Sequence, residues 1–349
     1  MGTIKLEELR ELEHFNAAAL DGRTIRMIPV WDGADWTHWL AAPDGRLIKM
    51  KMVDAAHSHY LTKVGPANES DLRIPLVHFV WQRLGFSELI HLIDAIEDDF
   101  HLLATSAAKL EHLHATRGSS DDGLVSSFVR SEIEYMLIVA RSVFDLLQEI
   151  IAGFWNGHVK LLDDPADALK KRNRLPPTFA KVVFAGGAFR SAQKITAKFA
   201  LPPVTAEQYE RHAPFFASLR TSRDRIIHGS SSVGTIFVTE KGFAVSPDSK
   251  LFGQYPWKKD HYYNENIVSL MPWVASIVLR TIEACSSVVE SLSTVIQFPE
   301  ELAPGYHVLL RDPANPALLR LLEAANGKRV WWNTDGGQPA SSSPLSNSN

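Results

Sequence analysis

The sequence predicts a mainly α protein of the α+β class, with a small β-containing region near its N-terminus. Three long segments, residues 87–113, 125–154 and 264–297, carry apolar side chains every three or four positions, which is the spacing of one helix face. Residues 46–52 instead alternate polar and apolar side chains, which is typical of a half-buried strand. Long helices therefore dominate the predicted fold.

The composition is that of an ordinary globular protein. The chain has 349 residues and is 45% apolar, which allows a sizeable core in about two domains or one elaborated domain. The net charge of −4 gives no support for unspecific nucleic-acid binding, so such a contact must come from a local patch. A single cysteine, Cys285, excludes an intrachain disulfide and a cysteine-rich zinc finger and favours a reducing compartment.

No secretory or membrane-spanning segment is expected. The first residues include acids and lack the apolar stretch of a signal peptide. The longest apolar run, residues 267–279, has 13 residues and contains Pro272. A bilayer needs roughly 20 apolar residues, so we expect a soluble, cytoplasmic protein without membrane contact.

Residues 1–85 are predicted to form a small α+β region. A short helix is expected over residues 3–19, where leucines recur at helical spacing. The sequence Pro43-Asp44-Gly45 marks a turn, which makes residues 36–41 the expected partner of the strand at 46–52. This region therefore contains a hairpin.

Residues 86–298 contain the long helical segments and are predicted to form a helical bundle. Ser87 is a suitable N-cap for the first long helix. The short connection at residues 118–123 makes the first two helices antiparallel neighbours. The last long helix covers 264–297, with a kink expected at Pro272.

The third long helix follows an insertion with short helices at residues 157–204. Residues 205–208 have the spacing of a capping box and are expected to open this helix. Pro214 must kink or restart it. The helix is expected to end at His228, with Gly229 as its C-terminal cap.

A β-hairpin is predicted between the last two core helices, from residues 235–238 and 242–245. The C-terminal extension at 299–333 contains a short helix at 316–325. The tail at 334–349 is rich in serine, proline and asparagine, a composition that favours disorder.

The end of the third long helix carries a compact set of side chains for handling a phosphodiester. Arg223 offers a planar fork for phosphate oxygens, and His228 is suited to move a proton near neutral pH. On an ideal helix the side chains of Arg223 and His228 point in directions about 140° apart around the helix axis. Asp224 and His228 are i,i+4 neighbours, so the carboxylate is expected to orient the imidazole and to leave Arg223 free for a phosphate.

Four helices, the third of which ends in Arg-Asp-x-x-x-His, resemble the HEPN superfamily. Members have a small up-and-down bundle with an R-polar-x-x-x-H signature at the end of the third core helix. The resemblance covers roughly residues 87–297, and a hairpin before the fourth helix also fits this family. Many members are metal-independent ribonucleases, often toxins or defence effectors, that work as dimers with two motifs facing one cleft.

The resemblance implies a role for each residue of the motif. Arg223 would bind the scissile phosphate and stabilise its developing charge. His228 would act as general base on the ribose 2′-OH or as general acid to the leaving oxygen. Arg220 and Arg225 would add positive charge for an RNA backbone. The implied partners are RNA, a second copy of the chain and, for a toxin, an antitoxin protein.

Other interpretations of the bundle stay open. Glu134 and Asp145 on the second long helix are candidate accessory residues, but a solvated helix face explains them equally well. A cationic cluster in the last turn of a helix is favourable for the helix dipole alone. The alternative function is therefore a non-catalytic bundle that binds RNA, a nucleotide or a protein partner. A third is a structural interaction protein whose N-terminal region is the functional part.

Two weaker patterns concern metal ions. The histidines of His57-Ser58-His59 would point to one side of a strand, and Glu97 with His101 is an i,i+4 pair on the first long helix. Either pair could supply zinc ligands. His112 and His114 lie on the same helix. No third ligand is evident in the sequence, so we predict neither a metal nor another cofactor.

Overall fold

The mainly α, α+β class is confirmed by the computed structural model, which describes residues 4–119, 121–228 and 233–333. The helices of these residues are α1 Leu6–Leu9, α2 Pro75–Arg83, α3 Ile90–Ala115, α4 Asp122–Gly157, α5 Asp164–Arg172, α6 Phe179–Val183, α7 Ala192–Phe199, α8 Pro203–Ile227, α9 Met271–Ser293 and α10 Asn315–Ala325. The strands are β1 Val30–Trp31, β2 Trp36–Ala41, β3 Leu47–Met52, β4 Ser58–Thr62, β5 Phe184–Ala185, β6 Ala188–Phe189, β7 Phe237–Val238, β8 Phe243–Val245, β9 Val268–Ser269 and β10 His307–Arg311.

The helices α3 and α4 are antiparallel neighbours, as their short connection predicts. Leu89, directly before α3, packs on Gly153 near the end of α4, where an added Cβ would lie only 2.6 Å from the leucine Cδ2. At the opposite ends of both helices, Ser106 donates a hydrogen bond to Glu132. The expected cap at Ser87 is wrong, because its hydroxyl bonds Glu88 and the helix begins at Ile90.

The helices α8 and α9 complete the antiparallel set. The Tyr209 hydroxyl of α8 donates to Gln148 of α4 at 2.6 Å. On its other side α8 meets α9, where Ser291 donates to Thr205 at 3.2 Å. Thr205 is thus buried in this contact and does not open the helix, which starts at Pro203, a position that suits proline.

Helix α9 is the most apolar part of the core. Among the described residues it is the one helix long and apolar enough to cross a bilayer, and 61% of that stretch is buried inside the protein. Most of α9 is therefore packed inside the protein. The expected kink at Pro272 is wrong, because this residue lies in the first turn of the helix, where its missing N–H costs no hydrogen bond.

The N-terminal region is built on a five-stranded sheet with the order β10-β4-β1-β2-β3. The predicted β2–β3 hairpin is confirmed, with Trp36 opposite Met52 at its open end. The predicted helix over 3–19 is mostly wrong. Beyond α1, the Asn16 amide donates to Leu302 and its side chain accepts from Ala18, which breaks the helix.

Two further predictions about irregular parts of the chain are confirmed. The insertion contains α5, α6, α7 and the small β5–β6 hairpin. The β7–β8 hairpin before α9 also forms, and β9 adds a third strand that the sequence analysis did not predict. Gly229 and the tail at 334–349 lie outside the described residues.

The C-terminal extension returns to the N-terminal region. Strand β10 pairs antiparallel with β4 over five residues, and the predicted helix at 316–325 forms as α10. Gln82 of α2 is fully buried and ties the extension down with three hydrogen bonds. Its amide nitrogen donates to the carbonyls of Ala303 and Tyr306, and its oxygen accepts from Ala303, each at 2.9 Å.

We predict that Gln82→Leu lowers the free energy of unfolding by about 3 kcal/mol, because it leaves buried backbone groups of the extension without partners. Urea denaturation followed by circular dichroism measures this change. Gln193→Leu is the matched control, since Gln193 is exposed on α7, and it should shift stability by less than about 0.5 kcal/mol. Equal losses in both variants would show that the bonds of Gln82 do not hold the extension.

Candidate functional site

Arg223, Asp224 and His228 lie at the C-terminal end of α8. The Arg223 side chain is 46% exposed, and His228 is an exposed residue that caps the helix. The His228 amide donates to the Asp224 carbonyl at 3.0 Å, so the last turn remains closed up to the histidine. Both side chains can therefore be reached by a large substrate.

The Asp224 carboxylate binds arginines. Its Oδ1 accepts a hydrogen bond from Arg223 at 3.1 Å, and its Oδ2 lies 3.7 Å from Nε of Arg220. The expected bond from Asp224 to the His228 imidazole is not among the contacts of the described residues. A permanently charged guanidinium competes better for a carboxylate than a neutral ring does. All three charged groups are about half exposed, so these bonds are weak and can exchange for a phosphate.

Aromatic rings hold the arginines around α8 in place. The Arg220 guanidinium lies 5.7 Å from the ring centre of Phe184 in the β5–β6 hairpin. Arg141 of α4 lies 4.4 Å from the ring centre of Phe216 on α8. The Arg141 side chain is only 15% exposed. The positively charged face at the end of α8 therefore comes from the exposed Arg220, Arg223 and Arg225.

The two candidate accessory acids lie on α4. Asp145 forms an i,i+4 ion pair with Arg141, and this arginine packs on Phe216 of α8. Glu134 is half-buried on the same helix. The described contacts place neither carboxylate against His228.

A cavity of about 460 Å³, within the usual size range of small-molecule pockets, runs along α8 towards its C-terminal end. Its wall includes Phe215 and Ser222 of α8, and Ser222 directly precedes Arg223 in the chain. The Arg280 guanidinium from α9 lies 4.1 Å from the ring centre of Phe215. Tyr255 adds a second aromatic ring. Sequence analysis did not predict this cavity, because its residues come from separate helices and a loop.

The weak metal patterns of the sequence meet in a second cavity. It has a volume of about 350 Å³ and lies between β4 and α3. Asp312 follows β10, and its Oδ2 lies 3.0 Å from Nε2 of His57 and 2.9 Å from Nδ1 of His101. The two imidazole rings are 4.4 Å apart between centres. Sequence analysis missed Asp312, which is 211 residues from His101.

His59 and Glu97, the other residues of the two metal patterns, are bonded to Arg26. Its guanidinium donates to Glu97 at 2.5 Å and to Nε2 of His59 at 3.0 Å, and it also pairs with Asp94 at 2.8 Å. Burial lowers the pKa of His59 to about 3, and the charge of Arg26 acts in the same direction. The neutral ring therefore accepts at Nε2 and carries its proton on Nδ1, which faces Glu97 at 3.4 Å.

Burial also acts on Glu97. It raises the pKa of this carboxyl to about 7, although Arg26 opposes the shift. The second carboxyl oxygen of Glu97, Oε1, is buried without a hydrogen-bond partner among the described residues. Of the remaining histidines on α3, His114 bonds the Thr239 carbonyl at 3.0 Å and is structural, whereas His112 is exposed.

Fold and sites together define a mainly α protein with an exposed Arg/His pair at one helix end and a separate histidine–carboxylate cluster. No protein-family profile matches the chain, and no significant match is found among curated proteins or solved structures.

We predict that Arg26→Met lowers the free energy of unfolding by roughly 3–5 kcal/mol, because it leaves the buried Glu97 without its cation. The Arg26 side chain is 12% exposed and that of Glu97 is 4% exposed. Without Arg26 the pKa of Glu97 rises further. The folded variant must then bind a proton at pH 8, where the wild type does not, so the loss in free energy of unfolding is larger at pH 8 than at pH 6.

Thermal and urea denaturation at both pH values measure this effect. Arg46→Met is the control, since the Arg46 side chain is 75% exposed in its pair with Asp44 and should contribute less than about 1 kcal/mol. A loss in Arg26→Met no larger than in this control would contradict a buried charge network at Arg26.

Proposed function

We propose that this protein is a metal-independent endoribonuclease of HEPN type, in which the end of α8 cleaves RNA. The observation that carries the proposal is the joint exposure of Arg223 and His228 at the end of the third long bundle helix. An exposed guanidinium binds phosphate oxygens, and an exposed imidazole transfers protons near neutral pH. The setting that the HEPN resemblance suggests is that of a toxin or defence effector, which an antitoxin protein would control.

The proposed reaction needs two proton transfers. His228 takes the proton of the ribose 2′-OH, and the 2′-oxygen attacks phosphorus while the bond to the 5′-oxygen breaks. Arg223 stabilises the extra negative charge on the phosphate oxygens. A second imidazole donates a proton to the leaving 5′-oxygen. The products are a 2′,3′-cyclic phosphate and a 5′-hydroxyl, and no step requires a metal ion.

A second copy of the chain supplies the second imidazole. Three large apolar side chains near the end of the bundle where α4 begins and α8 ends support such an interface. Leu124 and Phe128 are each 49% exposed, and Ile227 is 52% exposed. Exposed large apolar side chains favour association. A homodimer through this end would bring two motifs to one cleft.

In the proposed complex, arginines bind the RNA backbone, and the cavity along α8 binds an unpaired base. Arg220 and Arg225 flank the motif on α8 and would bind neighbouring phosphates. The cavity beside Ser222 offers the rings of Phe215 and Tyr255 together with Arg280. Aromatic rings and guanidinium groups stack on unpaired bases, so single-stranded RNA is the favoured substrate.

The second candidate function is a non-catalytic module that binds RNA, a nucleotide or a protein partner. The observation that favours it is the ion pair between Arg223 and Asp224, which neutralises part of the motif and engages the carboxylate that was expected to orient His228. Such a module would bind RNA through the same positive face and leave it intact.

We predict that the purified full-length protein cleaves single-stranded RNA in the presence of EDTA, and that His228→Ala and Arg223→Ala each lower the rate by at least about 100-fold. RNA with hydrogen in place of the 2′-OH at the cleaved position should stay intact. Gel electrophoresis of end-labelled RNA measures the rate, and the cyclic phosphate identifies the attack by the 2′-oxygen.

His91→Ala and Arg172→Ala are the matched controls for this assay. Both residues are exposed, and Arg172 also lies in the last turn of its helix, α5. The controls should cleave at the wild-type rate. RNA binding without cleavage by any of the five proteins would overturn the enzymatic proposal and favour the binding module.

We also predict a dimer in sedimentation-velocity experiments that Phe128→Asp weakens by at least tenfold, because a charge would enter the apolar interface. Leu162→Asp is the control, since Leu162 is fully exposed in the insertion and should leave the dimer unchanged. A wild-type protein that stays monomeric at high concentration and with RNA would contradict the two-copy mechanism.

A further inference from the structure

His57, His101 and Asp312 come from three separate parts of the chain and meet at one point. His57 directly precedes β4, His101 lies within α3, and Asp312 directly follows β10. One donor atom from each residue lies within 4.8 Å of the others. Two imidazoles and one carboxylate are a donor set used by zinc and by other divalent transition metals.

We propose that His57, His101 and Asp312 bind a divalent transition-metal ion, with zinc as the ion that the donor set fits best. The site shares no residue with the Arg223–His228 site, so the proposal does not depend on ribonuclease activity. Imidazole ligands do not suit magnesium or calcium, which take oxygen ligands.

The spacing of the donor atoms fits such an ion. Zinc binds imidazole nitrogen and carboxylate oxygen at about 2.0–2.2 Å in a tetrahedron, which places neighbouring donor atoms roughly 3.3 Å apart. The nitrogens of His57 and His101 lie 3.0 and 2.9 Å from the same Asp312 oxygen. These two distances need to lengthen by only a few tenths of an ångström to reach that spacing, and the two nitrogens lie within 4.8 Å of each other.

The carboxylate is already oriented for this role. Oδ2 of Asp312 faces the two imidazoles, whereas Oδ1 accepts a hydrogen bond from the Ala314 amide at 2.7 Å. The Asp312 carbonyl in turn accepts from the Asn315 amide at 3.0 Å. Bonds of this kind fix a ligand in place before the metal binds and strengthen the site.

Burial gives the site a closed side and an open side. The side chains of Asp312 and His101 are 5% and 10% exposed, whereas that of His57 is 62% exposed. The ion can enter past His57, and the fourth position faces the cavity, where water or a small ligand can bind. Asp94 and Asp98 line the same cavity, and their carboxylates favour a cation there.

The neighbouring His59 and Glu97 stay outside the ligand set. Both are bonded to Arg26, whose fixed positive charge lies between them and repels a metal ion. The proposed ligand set therefore contains one histidine from each sequence pattern, His57 and His101, together with Asp312. A bound ion would join β4, α3 and the C-terminal extension and should stabilise all three.

The test is a titration of the metal-free full-length protein with Co²⁺, which replaces zinc and reports coordination by its visible absorption. We expect one ion per chain, the intense bands of four-coordinate cobalt, displacement by an equimolar amount of Zn²⁺, and a higher melting temperature with zinc. His57→Ala and Asp312→Asn should each weaken binding by at least tenfold. His57 is exposed, so its replacement should leave the circular dichroism spectrum unchanged.

His91→Ala is the control. It removes an exposed histidine of α3 outside the cluster, so this variant should bind the metal like the wild type. Absence of cobalt and zinc binding by the wild type would overturn the proposal. Binding by His57→Ala with wild-type affinity would overturn it too, because the ion would then lie elsewhere. If Asp312→Asn does not fold, His57→Ala decides alone. A parallel titration with Fe²⁺ shows whether iron binds the same three residues more tightly than zinc.

Discussion

The proposed site depends on the packing of Phe216 in the middle of α8. Pro214 removes one hydrogen bond from this helix and would be expected to kink or restart it, yet the helix is continuous from Pro203 to Ile227. Phe216 is fully buried, with ring centres 5.6 Å from Phe144 of α4 and 4.8 Å from Phe179 of the insertion. This aromatic packing compensates for the lost bond and fixes the direction in which the last turns of α8 carry the motif.

A second long-range contact, the pairing of β10 with β4, determines the other half of the molecule. It extends the N-terminal sheet with a strand from the C-terminal extension and places Asp312 beside His57 and His101. The motif on α8 and the cluster at Asp312 are thus built by different long-range contacts. One relies on helix packing within the bundle and the other on closure of the chain ends, which is why loss of one site should leave the other intact.

Local patterns predicted the long helices and the β2–β3 hairpin, because apolar periodicity and turn residues act over a few positions. They failed where a distant partner decides the outcome. Asn16 bonds Leu302 where the predicted first helix would continue, and Thr205 is buried against α9 rather than capping α8. The same limit applies to the sites. The motif at Arg223 is contiguous and visible in the sequence, whereas the third residue of the histidine cluster, Asp312, is brought in by a tertiary contact.

In the proposed mechanism, RNA is bound and cut at the end of α8. An experimental structure of the full-length protein with an RNA that lacks the reactive 2′-OH tests this most directly. We expect two copies of the chain around one cleft, a phosphate within about 3 Å of the Arg223 guanidinium, and the His228 rings of the two copies on opposite sides of it. RNA bound away from α8, or two motifs on distant outer faces of the assembly, would contradict the account.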